Sequence, residues 1–276
     1  MNTEGLNFML KDSCDVIAEN KRFYLHNHPN AYEILLFKKG DSEFRVEGSV
    51  YPLSPGDLII VSNYEMHRVY HNSSSEYART VINVEPTFFT KHNCEQYKSI
   101  FLDRTIGENN CIPSELSHSL GLDKLIQKIE DYLDDTYDNG VAATAAFTEF
   151  LYLLNRTAAN PHKPVKTNEQ IKNIILYINE RLTGQLSLDE IADAFYISKG
   201  HLCRIFKEHT GYTLNHYITY KRLMYVRELV ASGTSWTNAG IEAGFSNYSN
   251  FYKAYCRTYG SAPRKSFKAA EKHSLS

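Results

Sequence analysis

The run LSLDEIADAFYISKGHLCRIFKEHTG, residues 186–211, decides how the rest of the chain is read. Ser187 with Glu190 three positions on is a capping-box arrangement, which starts a helix by satisfying two of its free amides. Leu188, Ile191 and Ala192 then fall on one inner face, and Ala194-Phe195-Tyr196-Ile197 turns the chain. Ser198 caps a second helix whose Leu202, Ile205 and Phe206 share one side. The other side carries Lys199, Gly200, Cys203, Arg204 and Lys207, and Gly211 stops the helix. Two short helices joined by a tight turn, with the second basic and carrying short side chains on its outer side, are a helix-turn-helix.

Moving outward, residues 214–232 read as one long helix, and a second unit follows in TSWTNAGIEAGFSNYSNFYKAYCRTYG, residues 234–260. Its first helix is expected to end near Ala243, Gly244-Phe245 to turn, and Ser246 to start a helix that buries Phe251, Tyr255 and Thr258. Tyr248, Ser249, Asn250, Tyr252 and Lys253 are left outward or at its start.

The string A-x-x-F-Y-I-S-x-x-H-L-x-R-x-F-K-x-x-x-G from Ala192, then Tyr217-Ile218, Arg222, G-F-S-N-Y-S-N-F from Gly244, and Pro263 resemble the AraC/XylS family of transcription regulators over residues 170–267. The resemblance implies two helix-turn-helix units on one joining helix, reading successive major grooves of double-stranded DNA about 34 Å apart. Carried over by position, the base readers are Gly200, Cys203 and Arg204 in the first unit and Tyr248, Ser249 and Lys253 in the second. Lys199, His201, Lys207, Asn247 and Asn250 complete the DNA-facing set. Arg204 suits guanine O6 and N7, a pairing worth about 1–3 kcal/mol of discrimination. Two departures stand out. Ala239-Gly240 replaces the family's Ile-Ala pair, so a loose helix braced by Trp236 is expected there, and Ser266-Phe267 replaces its Tyr-Arg after the proline.

Charge divides along the chain. Residues 1–164 hold 15 Lys+Arg against 23 Asp+Glu, a net −8, whereas residues 165–276 hold 15 against 9, a net +6. A basic C-terminal part meeting a polyanion fits this split. A hydrophobic share of 42% and a charged share of 22% are those of an ordinary globular protein. No apolar run approaches the roughly 18–20 residues that cross a bilayer, and the start lacks a basic leader with an apolar stretch. Five scattered cysteines without C-x-x-C spacing argue against a disulfide framework or a zinc knuckle and for reduced thiols. A cytoplasmic protein without membrane contact is expected.

The N-terminal part reads differently. Short apolar runs at Tyr32–Phe37, Phe44–Gly48, Leu58–Val61 and Thr80–Val84, with turn signals between them, predict a sandwich or barrel. Residues 87–103, 122–135 and 141–157 have helical spacing. The run HNHPNAYEILLFKKG, residues 26–40, followed by Pro55-Gly56-Asp57 and His67, resembles the cupin motif pair. That resemblance implies a barrel and, by position, a metal set of His26, His28, Glu33 and His67. Three imidazoles and a carboxylate suit a divalent transition metal. Read without metal, His28 and Glu33 pair at the barrel mouth, Tyr24 and Tyr32 offer stacking faces to a sugar, and Arg45 is a polar anchor.

The expected architecture is therefore two-domain. An all-β cupin-like sensing barrel with flanking helices (α+β) occupies 1–117, and a helical, dimer-forming segment 118–157. A linker spans 158–168, and an all-α tandem helix-turn-helix domain 169–276. The function expected is a ligand-responsive activator of carbohydrate-use genes. It would be a homodimer that works with RNA polymerase, responds to a small-molecule effector of the sugar class, requires no cofactor and is no enzyme. A cupin metalloenzyme, such as an isomerase or dioxygenase, with an accessory DNA-binding domain is the alternative, and a repressor without effector a third reading.

Overall fold

The computed structural model describes residues 5–16, 28, 30–135, 140–159 and 166–263. Tyr24, His26, Ser266 and Phe267 lie outside the described residues. The chain divides into two compact units, Met1–Thr167 and Asn168–Ser276.

In the first unit the described strands are β1 (Phe8–Val16), β2 (Tyr32–Lys39), β3 (Ser42–Val46), β4 (Ser49–Pro52), β5 (Leu58–Val61), β6 (His67–His71), β7 (Glu76–Val84), β8 (Cys111–Ile112) and β9 (Lys166–Thr167). They form two antiparallel sheets, ordered β1-β7-β2-β5-β8 and β6-β3-β4-β9. Alternation along β2 explains how the layers assemble, since successive side chains of a strand point to opposite faces. Leu35 and Phe37 turn inward and pack with Phe44, Val46, Tyr51, Ile59, Val61 and Tyr77 between the sheets. Tyr32, Ile34 and Leu36 turn outward into a second core shared with the helices.

Those helices are α1 (Pro86–Lys91), α2 (Ser99–Leu102), α3 (Ser114–Ser119), α4 (Leu122–Asp134) and α5 (Val141–Arg156). The expected single helix over 87–103 is broken at Asn93, which takes a left-handed φ of 52°, and resumes as a 3-10 turn and α2. The apolar stripes of α4 (Leu122, Leu125, Ile126, Ile129, Leu133) and α5 (Ala143, Phe147, Phe150, Leu151, Leu154) are buried within this unit. Phe147 stacks on Phe8 at 4.4 Å between ring centres. Burying each large side chain contributes about 1.5–3 kcal/mol, so these faces hold helix to sheet. A dimer between copies would have to use other surface.

The expected linker is shorter than its sequence suggests. Residues 157–159 continue from α5 as a 3-10 turn, β9 pairs with Ser49 and Val50 of β4, and the Asn168 side chain accepts from the Ile171 amide at 3.1 Å. Two lysines and a proline hide these short pairings from any periodicity.

The second unit holds α6 (Glu169–Glu180), α7 (Leu188–Ala194), α8 (Lys199–Thr210), α9 (Leu214–Ala231), α10 (Trp236–Glu242) and α11 (Tyr248–Tyr259). Each starts on a side-chain cap: Asn168, Ser187, Ser198, Thr213, Ser235 and Asn247. Ser187 and Glu190 make the full capping box. Gly211 and Gly260 close α8 and α11 in left-handed geometry. α11 starts two residues later than Ser246, because Asn247 accepts the Asn250 amide at 2.9 Å while Ser246 accepts from the Asn250 carboxamide at 2.8 Å.

Gly240 is not a loose point. A methyl group there would lie 3.0 Å from Phe251 Cγ, so the glycine is what lets α10 and α11 approach. Trp236 stacks on the same ring at 6.3 Å.

Candidate functional site

Two arrangements carry chemistry, one in each unit. In the second unit, Leu202, Ile205 and Phe206 fix α8 to the core and leave Lys199, Gly200, His201, Arg204 and Lys207 exposed, with Cys203 half-buried beside them. A side chain at Gly200 would meet nothing within 4 Å, so packing does not demand the glycine, and the helix surface is open for close approach there. Arg204 donates to Glu208 at 3.1 Å and, through Nη2, to His201 Nδ1 at 3.0 Å. Lys199 pairs with Asp189 at 2.9 Å. Exposed pairs of this kind contribute about 0–1 kcal/mol, so exchanging Glu208 for a guanine edge or a phosphate costs little.

On α11, Phe251 and Tyr255 are buried, while Tyr248, Ser249, Asn250, Tyr252 and Lys253 face solvent. Asn247 and Asn250 are held in the helix cap, and Tyr248, Ser249 and Lys253 project from the helix outside it, Tyr248 with its ring edge-on to Phe251 at 5.7 Å. Sequence reasoning passed over Tyr196. It stands exposed at the turn before α8 with a left-handed φ of 54°, and an exposed aromatic in that conformation was invisible to periodicity.

The two halves are locked to each other through α9. Arg222 donates Nε to the Leu182 carbonyl at 2.9 Å and Nη2 to the Gly184 carbonyl at 2.7 Å, in the loop between α6 and α7. Gly244, in the turn between α10 and α11, packs directly against that guanidinium.

In the first unit, β2 and β6 bring together Glu33 and His67, and His28 joins them. His28 Nε2 lies 2.6 Å and His67 Nε2 3.6 Å from the Glu33 carboxylate, and one ligand atom from each of the three lies within 4.8 Å of the others. His67 Nδ1 donates to the Glu65 carbonyl at 2.9 Å, which turns Nε2 toward Glu33. Asn83 on β7 pairs in register with Glu33 and so shares its face. Its buried Oδ1 accepts no hydrogen bond among the described residues. The polar Asn83 inside the apolar run Thr80–Val84 was the signal that could have found it.

Two predicted members of this site lie elsewhere. Tyr32 is 4% exposed on the opposite face of β2, stacked on Phe101 at 4.7 Å. It is a core residue, because neighbours on a strand cannot share a face. Arg45 alternates with the inward Phe44 and Val46, so it lies on the outer face of its sheet, bound to Glu43 and stacked over Tyr70 at 4.6 Å.

Behind His67 runs a buried ionic network. Glu65 receives Arg104 Nη2 at 2.6 Å, the Ser62 and Gly107 amides at 2.9 Å each, and Asn110 Nδ2 at 3.1 Å. Burial pushes the Glu65 carboxyl up, but the Arg104 charge and the two amides outweigh it and hold it below the ordinary carboxylate range.

Family comparison agrees with the division into units. An AraC-like ligand binding domain matches residues 15–146, and a helix-turn-helix domain matches residues 191–269. The chain is 23% identical over 253 residues to the HTH-type transcriptional activator RhaS of Escherichia coli, covering 86% of this chain and 85% of that protein. Among solved structures, ToxT from Vibrio cholerae is 14% identical, covers 94% of this chain and 96% of its own, and superposes with a TM-score of 0.39. An AraC-type DNA-binding domain-containing regulator from Chromobacterium violaceum is 26% identical over 35% of this chain and 88% of its own, with a TM-score of 0.33. No described helix is long and apolar enough to cross a membrane.

Proposed function

Because the chain belongs to the AraC family of transcription regulators, with a ligand-binding domain ahead of its helix-turn-helix domain, we propose that it is an effector-controlled activator of carbohydrate-use genes. The observation that carries the reading is the pair of capped helices, α8 and α11, each with one buried face and one polar face in solvent. Arg204 is the principal base reader of α8, and Tyr248, Ser249 and Lys253 those of α11. Lys199 and Lys207 supply phosphate contacts, which position without specifying. Activation, with RNA polymerase as partner, is supported by the activator named among the relatives. A homodimer fits repeated half-sites. Footprinting of the gene's own upstream DNA, with and without sugars, tests the proposal. Protection of about two helical turns per chain that changes with one sugar is the outcome expected, and protection indifferent to every sugar would refute effector control.

A second reading is favoured by the grouping of His28, Glu33 and His67. These donors fit a divalent transition metal, and the Glu65 carbonyl on His67 Nδ1 is the outer hydrogen bond that metal-binding histidines ordinarily have. In this reading His28 and His67 bind through Nε2 and Glu33 through a carboxylate oxygen, and the ion would supply a fixed positive charge at the mouth of the sandwich. Without it, the two imidazoles and Asn83 are donors and acceptors suited to hydroxyl groups. Stoichiometric metal retained by the loaded protein and lost in His67→Ala would establish the ion, and metal below stoichiometry would remove it.

A further inference from the structure

The two reading helices share one plan. α8 and α11 are each twelve residues long. With one laid over the other, the caps Ser198 and Asn247, the buried Phe206 and Tyr255, and the closing Gly211 and Gly260 coincide. In that register Ser249 stands where Gly200 does, Lys253 where Arg204 does, and Tyr252 where Cys203 does. Tyr252, absent from the readers assigned by position, therefore falls among the base-facing residues of α11. The chemistry of the two surfaces differs. α8 turns Lys199, His201, Arg204 and Lys207 to solvent. α11 turns out a stripe of phenol rings: Tyr248 and Tyr252 are 41% and 40% exposed, and their ring centres lie 6.0 Å apart. Residues four apart share one face of a helix, so the two rings form a single patch. The Tyr252 hydroxyl pairs with Cys256 a further turn on, and the carboxamides of Asn247 and Asn250 are engaged in the cap. Beside Ser249 and Lys253, what α11 offers a base edge is ring surface. The apolar group that bases display in the major groove is the C5 methyl of thymine.

We propose that Tyr252, with Tyr248 beside it, is a specificity-determining residue that reads a thymine methyl group. The second unit then selects thymine about one helical turn, roughly ten base pairs, from the guanine that Arg204 selects in the first. The operator is asymmetric within one chain's footprint, because a guanidinium reads one groove and a phenol ring the next. Tyr248 steadies the patch, since its own ring is packed edge-on to the buried Phe251 at 5.7 Å. The inference rests on the regulator reading and assigns a base to its second helix.

The test uses the full chain and the duplex it selects from a pool of random double-stranded DNA. Each thymine of that duplex is replaced in turn by deoxyuridine, which keeps the base pair and removes only the methyl group. At one thymine, a helical turn from the guanine that Arg204→Ala ceases to distinguish, the replacement is expected to weaken binding about fourfold, the worth of one buried methyl group. Tyr252→Phe should keep that preference for thymine over deoxyuridine. Tyr252→Ala should bind the two duplexes equally while still distinguishing the Arg204 guanine, which shows that the unit remains folded. Because the deoxyuridine series is run on the unaltered protein, it decides the matter even if Tyr252→Ala does not fold. Deoxyuridine tolerated at every thymine would overturn the proposal and leave the regulator reading standing. So would a preference lost in Tyr252→Phe, which would make the hydroxyl the reader, or one kept in Tyr252→Ala, which would assign the methyl to another side chain. Failure to enrich any sequence would mean no base reading at all, and would remove the regulator reading and this inference with it.

Discussion

Replacing Gly244 with alanine should cost the DNA-binding unit about 3–5 kcal/mol, and most of that cost should depend on Arg222. Gly244 has φ +92°, where a side chain adds strain of about 1–3 kcal/mol. Its new methyl would also lie 2.9 Å from the Thr183 carbonyl oxygen and 3.0 Å from both Nε and Cζ of Arg222. The carbonyl is fixed by backbone, so the guanidinium must yield, and it holds the Leu182 and Gly184 carbonyls. Losing one hydrogen bond to a charged group costs about 1.5–3 kcal/mol. In an Arg222→Ala background the guanidinium is gone, and Gly244→Ala should cost only the strain and the Thr183 contact, about 2 kcal/mol. The double-mutant cycle therefore predicts a coupling of about 1.5–3 kcal/mol. The assay is built into the chain: its single tryptophan, Trp236, lies on α10 against Phe251, so selectively excited fluorescence during urea unfolding reports this unit within the full protein. Costs that add within about 0.5 kcal/mol would refute the clamp, as would a Gly244→Ala variant as stable as the parent.

Gly240→Ala should destabilise the same unit by about 1 kcal/mol, because overpacking against the enclosed Phe251 ring, typically about 1–3 kcal/mol, exceeds the helix propensity gained; a more stable variant in the same unfolding assay would show that the ring gives way freely. Glu65→Gln should cost the first unit about 3–5 kcal/mol by leaving Arg104 buried without its counter-charge, measured by calorimetric melting. Since the folded Glu65 carboxyl titrates below its unfolded value of about 4.3, its contribution is complete above that pH and lost as pH falls through the lower folded value. The melting temperature of Glu65→Gln should accordingly converge on that of the parent only below about pH 4, and a constant gap across acid would contradict the assignment. Arg204→Ala should lose about 1–3 kcal/mol of binding at one base step of the operator, read by titrating single-base operator variants; a uniform loss across sequences would make Arg204 a phosphate contact.

The helical half was legible because its signals are local. Ser187 with Glu190, Ser198, Gly211 and Gly260 mark helix ends by capping chemistry that needs no knowledge of tertiary structure. The stripes of α4 and α5 were equally plain, but sequence could not say whether they meet a sheet or a second copy. The sheets were harder. β1 alternates only at Phe8 and Leu10 before running into Lys11–Val16, exposed but for the half-buried Ser13, and β8 and β9 are two residues long, so their pairing is decided by distant partners. The candidate site of the first unit was half legible. His28, Glu33 and His67 come together, whereas Tyr32 and Arg45, expected from their chemistry to offer a stacking face and a polar anchor, are sent to other faces by the two-residue period of a strand. Asn83 and the Glu65–Arg104 pair join residues far apart in the chain, and no spacing rule reaches across such intervals.

The most direct test of the account is titration of the full chain against labelled DNA from upstream of its own gene and neighbouring operons, beside a scrambled control, at near-physiological salt. Binding about a thousandfold or more tighter to one segment is the result expected for α8 and α11 reading bases. Equal binding to every sequence, falling steeply with added salt, would mean phosphate contacts alone and would contradict it.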